Sequence, residues 1–230
     1  MHSFFDRRTI LLVLPLALVS PVPLTAADDA KPLVAAIKAV GKEGAGNPAA
    51  SKAWQALARL DPDALPATLA GFDDDNPIVT NWLRAAADAI GEQALRDKKA
   101  LPARALEAFL VDTKNPAAGR YVAYQWLVRA DPTAPVRLLP GFLHDRSPEL
   151  RRESVETRLK TAKRALAKGD KNAAIAALRE GFSGACDKDQ VDSIAKSLKE
   201  QGINVDVAAH FGFIKSWQVI GPFEDRKSVV

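Results

Sequence analysis

The sequence predicts an all-α fold: a short α-solenoid of stacked helical hairpins, with the first strand of a truncated β-rich domain opening near its C-terminal end. Three observations carry that reading. Asp61-Pro62, Asn76-Pro77, Asn115-Pro116, Asp131-Pro132 and Ser147-Pro148 each place a side chain of capping type before a proline. The cap oxygen accepts from an orphan amide, and proline loses no intrahelical bond at the first helical position, so each pair marks a helix start. Leu101-Pro102 is a further start with a poorer cap. Between the starts, apolar residues recur every three to four positions: Leu83, Ala87, Ile90 and Ala94 after Pro77, then Val155, Leu159, Ala162 and Leu166 after Pro148. That period lines one face of a helix, whereas a strand alternates every second residue. The third observation is internal similarity. LARLDPDALPATLAGFDDDNP (57–77) matches LVRADPTAPVRLLPGFLHDRSP (127–148) with one inserted residue, and Pro77, Pro116 and Pro148 lie 39 and 32 residues apart. Such periods belong to two-helix repeats, in which no pair buries enough alone and stacking completes the core.

The first element, 1–27, reads as a secretory signal peptide. Arg7 and Arg8 supply its positive region, residues 9–19 (TILLVLPLALV) its apolar run, and Thr25-Ala26-Ala27 the small residues for cleavage after Ala26 or Ala27. The run is short for a bilayer span, and no later stretch approaches about 18 apolar residues, so no integral membrane segment is expected after cleavage. The expected location is the periplasm or the cell exterior. Loss of Asp6, Arg7 and Arg8 takes 32 basic and 28 acidic residues to 30 and 27, a net of +3. That balance describes a solvated surface, and no nucleic acid is expected as a partner. Its densest basic stretch, Lys160, Lys163, Arg164, Lys168 and Lys171, carries no aromatic platform. The one cysteine, Cys186, cannot close an internal disulfide and is expected as a small buried residue.

Residues 28–168 form the helical repeats. Leu65, Leu69 and Phe72, then Leu106 and Leu110, then Leu138, Leu139 and Phe142, mark the shorter helices of the pairs. The stretch from Asp61 to Ile90, with its DPxxLPxxLxxxxDxNPxxxxWLRxA pattern, resembles a HEAT repeat. The resemblance implies that Asp75 and Arg84 are the carboxylate and guanidinium tying neighbouring turns together. In the third unit Asp145 keeps the aspartate, with Arg152 as a candidate partner that the pattern does not align. The middle unit departs, because its first helix (102–111) is short and its arginine is displaced to Arg120, although Asp112 is present. Including HFGFIKSWQVIGPF (210–223), the chain also resembles secreted HEAT-repeat-containing proteins of planctomycete-type bacteria, in which such helices precede a β-rich region.

Residues 169–209 read as a separate hairpin or cap. Gly169 ends one helix and Asp170 caps the next, which buries Ala174, Leu178 and Phe182. Asp187 to Gln190 has the spacing of a capping box ahead of Val191, Ile194, Ala195 and Leu198, and Gly202 supplies the stop. From 210 to 224 the pattern changes, with 217–220 expected as a strand before a Gly221-Pro222 turn. The last six residues, DRKSVV, read as the translation of a sequencing adapter. A non-native tail at 225–230 is therefore expected, with the native gene continuing past Glu224. Without Asp225, Arg226 and Lys227 the mature net charge becomes +2.

No residue set for catalysis, cofactor binding or metal binding is assigned. His2 leaves with the leader, His144 and His210 are isolated, and HExxH, GxSxG and phosphate-cradling glycine motifs are absent. Asp73-Asp74-Asp75 reads as an interhelical turn, with a weak calcium site as the alternative. His210 reads as a junction residue, or as a ligand in an interdomain pocket. Glu107 and Glu153 lie on different helices and receive no hydrolytic role. The expected function is a non-catalytic protein-interaction or scaffolding module of an exported protein, whose partner is another protein or an extended extracellular ligand. Trp54, Trp82, Tyr124 and Trp126 are the candidate interface residues, with the core as their other location. The alternative is the N-terminal accessory region of a secreted hydrolase with its catalytic domain beyond Glu224. A self-assembling envelope protein is a third reading.

Overall fold

The computed structural model describes residues 26–219 and 221. Most of the expected leader, residue 220 of the expected strand and the 225–230 tail lie outside the described residues. Helices fill the chain in order: α1 (Ala26–Lys38), α2 (Asn47–Leu57), α3 (Leu65–Ala70), α4 (Pro77–Arg96), α5 (Ala103–Val111), α6 (Ala117–Ala130), α7 (Ala134–Leu138), α8 (Pro148–Ala167), α9 (Lys171–Gly184), α10 (Lys188–Glu200) and α11 (Val207–His210). Successive helices pack as hairpins: α1 on α2, α3 on α4, α5 on α6, the α7 segment with its 3-10 extension Leu139–Phe142 on α8, and α9 on α10. In the three middle pairs the first helix is short and the second long.

The caps explain where the long helices begin. Asn76 Oδ1 accepts from the amides of Ile78 and Val79 at 3.2 and 3.3 Å. Asp170 Oδ1 accepts from Ala173 at 2.9 Å, and Ser147 Oγ from Leu150 at 3.4 Å. α6 has no side-chain cap of its own. Asn115, the residue expected to cap it, turns its Nδ2 back to the Phe109 carbonyl at 2.8 Å. Asp187 does not cap α10 either, because its carboxylate lies 3.0 Å from Arg152.

Two apolar clusters form the interior. The first gathers Leu57, Leu65, Leu69, Leu83, Ile90, Leu106, Leu110 and Leu127 with residues from α1 and α7, and ends on Leu150. The second holds Val155, Leu159, Leu178, Val191, Ile194 and Leu198. α8 serves both, giving Leu150 to the first and Val155, Leu159 and Ala162 to the second. Leu166, expected inside, is exposed at the end of that helix.

The β-rich part of the expected fold class is overturned: no strand is present among the described residues. Residues 213–219 run without regular structure, and past the Phe213 amide, which donates to the Ala208 carbonyl at 2.9 Å, they make no backbone hydrogen bond among the described residues, leaving Trp217 76% and Val219 92% exposed. Alternating apolar residues suit a pleat, but a strand needs a neighbour to take its amides and carbonyls. Cys186 is likewise exposed, where a buried residue was expected.

Candidate functional site

The contacts between neighbouring hairpins are built by residues near the starts of the second helices. Arg120, in the first turn of α6, is 1% exposed, and its partner Asp145 is 6% exposed. The guanidinium donates to both carboxylate oxygens, at 2.8 and 2.7 Å, and its Nε donates to the Leu110 carbonyl at 2.7 Å. Burial pushes the Asp145 carboxyl up. The Arg120 hydrogen bonds, the Ser147 amide and the charges of Arg120 and Arg151 outweigh it and hold the group below the ordinary carboxylate value. Asp145 therefore pairs with the arginine of the preceding hairpin, not with Arg152. Arg152 reaches forward instead, to Asp187 and Asp189 at 3.0 and 2.5 Å. Its hydrogen bond holds Asp189 down at about 2.

The acidic turn between α3 and α4 divides its work. Asp73 Oδ1 accepts the amide of Asp75 at 3.1 Å, closing the turn. Asp74 reaches the next hairpin, where its two oxygens accept from Ala117 and Ala118 at 2.8 and 3.1 Å. It supplies from outside the cap that α6 lacks, at the positive end of the helix. Asp75 is exposed, and Arg84 makes its contacts elsewhere. Arg84 Nη2 donates to Gln125 on α6 at 2.8 Å, and its Nε lies 3.8 Å from Asp88. The structure does not bring Asp75 and Arg84 together. No group of three or more metal-ligating side chains occurs among the described residues.

A groove of about 560 Å³ opens where α4, α6 and α8 approach one another. Arg84, Asp88 and Glu92 line it from α4, and Glu153 from α8. α6 contributes Tyr121, Tyr124, Gln125, Val128 and Arg129, a stripe at helical spacing, with Trp126 beside it. The Trp126 ring lies so close to α4 that a Cβ added at Gly91 would sit 2.5 Å from it. Arg129 covers the same ring at 4.6 Å while its Nη1 donates to Glu92 at 2.6 Å. Tyr121 and Tyr124 stack with centroids 6.3 Å apart. Tyr124 is 6% exposed, and burial, with the charges of Glu153 and Tyr121, pushes its phenol up to about 12. It stays a neutral donor across the physiological range.

Of the four aromatics singled out in the sequence, Tyr124 and Trp126 line this groove. Trp54 and Trp82 are half-buried against the first core. Tyr121, Gln125 and Arg129 were missed, although Tyr124, Gln125 and Arg129 follow Tyr121 at three, four and eight residues, the spacing of one helix face. Asp74 and the Arg120–Asp145 pairing were missed as well. Counted back from the prolines, Asp74 and Asp145 each stand three residues before Pro77 and Pro148, and both PAAGR and PELRR place an arginine four residues after the proline. The chain matches no family model, no curated protein and no solved structure.

Proposed function

We propose that the chain is a HEAT-like solenoid of an exported protein, acting as a non-catalytic interaction or scaffolding module that offers its α4–α6–α8 groove to another protein. The groove itself carries this reading. Its volume lies in the range of about 300–1,000 Å³ typical of ligand sites, and it places aromatic rings among charged groups already held in position. Each pair that borders it has a fixed partner: Arg129 with Glu92, Arg84 with Gln125. Side chains ordered before binding lose little entropy on contact, which favours recognition by shape and charge.

The test is retention of partners by the immobilised chain from the envelope and extracellular fractions of the source cells. The wild-type chain should hold a defined protein that Tyr121→Ala with Val128→Asp releases while the helical circular-dichroism signal persists at the assay temperature; both side chains also pack on the first core, so the melting temperature should fall. Identical retention by both chains would remove the groove as the docking surface. Export has its own check. N-terminal sequencing of the secreted chain should begin at Ala27 or Asp28, and a chain retaining Met1 in the cytoplasm would exclude it.

A further inference from the structure

Resting on the groove as a docking surface, we infer that its occupant is an extended polypeptide carrying a basic side chain, lysine or arginine, set against Tyr121, Tyr124 and the Glu153 carboxylate. Charge within the groove is unequal. Arg84 and Arg129 face Asp88 and Glu92, and these four charges are matched in pairs. Glu153 lines the same space without an ion pair among the described residues, and its side chain is only half-exposed. The groove therefore holds one negative charge more than it balances.

The two tyrosines give that charge its setting. Their stacked rings line the same opening, and an aromatic face attracts a cation through its quadrupole. A carboxylate beside such faces suits an ammonium or guanidinium, which satisfies both at once. An anionic partner would meet the uncompensated Glu153, and a neutral one would leave its charge partly desolvated without return.

Tyr124 adds an independent pointer. The residue is nine-tenths buried, but its hydroxyl keeps solvent access at the groove and makes no hydrogen bond among the described residues. Kept protonated by its surroundings, it can exchange water for an acceptor that enters the groove. A backbone carbonyl next to the basic residue is such an acceptor. The space is open and borders three helices, so it admits a chain passing through rather than a compact ligand enclosed.

Fluorescence anisotropy on the purified chain tests this with three labelled nonapeptide pools, degenerate except for a central lysine, norleucine or glutamate, and with neutral cellohexaose as a competitor. The lysine pool should bind about tenfold tighter than the norleucine pool, and the glutamate pool weakest. Glu153→Gln should erase the lysine preference without altering the melting temperature. Tyr124→Phe should weaken the lysine and norleucine pools alike, since the lost donor serves the backbone. Equal binding of the three pools, or a lysine preference that survives Glu153→Gln, would overturn the inference. If the norleucine pool binds as well as lysine and is lost in Tyr121→Ala, the basic side chain falls while the docking groove stands. If no pool binds, or if cellohexaose alone occupies the groove, both fall.

Discussion

Arg120 is the residue on which neighbouring hairpins depend most. A guanidinium buried this deeply is tolerable because three hydrogen bonds use its fork and its Nε together. Removing one partner strands the other charge inside, so Arg120→Met should cost about 3–5 kcal/mol in urea unfolding. Converting Asp145 to leucine in the same chain should restore much of that loss. Asp145 also sets an acid limit. Its folded carboxyl titrates below the unfolded one, so its contribution is complete above the unfolded value of about 4 and is lost as pH falls through the folded value. Asp145→Asn should flatten that part of the stability profile below about pH 5. The acidic turn offers a sharper contrast: Asp74→Ala should cost about 1 kcal/mol through the lost α6 cap, and Asp75→Ala less than about 0.5. These roles were partly legible in sequence. The type of contact followed from the aspartates and arginines, and the repeat alignment held the correct register. Its direction was not legible, because only packing decides whether an arginine reaches its own turn or the next.

Helices gain their fixed spacing from glycines that the hydrophobic pattern passes over. Gly119 lets α6 close on α3: an added Cβ would fall 2.7 Å from the Leu69 carbonyl oxygen. Gly91 does the same for the Trp126 ring on α4. Alanine normally strengthens a helix by up to about 1 kcal/mol over glycine. At both positions the sign should reverse, with a net loss of about 1–3 kcal/mol on thermal or denaturant unfolding. Stabilisation by Gly119→Ala would show that α3 and α6 stand further apart. Helix starts at Pro77 and Pro148 were legible because cap and proline are local signals. Asn115 failed as a cap since the Phe109 carbonyl lay within reach and Asp74 came from another hairpin, a long-range choice. The expected strand failed for a related reason. Alternation in 213–219 describes which side chains could share a face, whereas strand formation requires a second backbone.

Across the whole molecule, the two apolar clusters meet along one helix. Leu69→Ala in the first and Leu178→Ala in the second should each cost about 2–5 kcal/mol, and both should shift a single unfolding transition because α8 belongs to both interiors. Two resolved transitions, each moved by only one substitution, would show that the clusters melt independently. The first half of α8 is tied in two directions. Asp145, just before it, anchors its start to Arg120, and Arg152 and Arg158 bind it to the hairpin that follows. At 20 residues it is about 30 Å long. It works as a rod shared by two bodies, so tension on α10 would reach the Arg120 junction as a turning moment along a stiff shaft rather than as slack drawn from a loop.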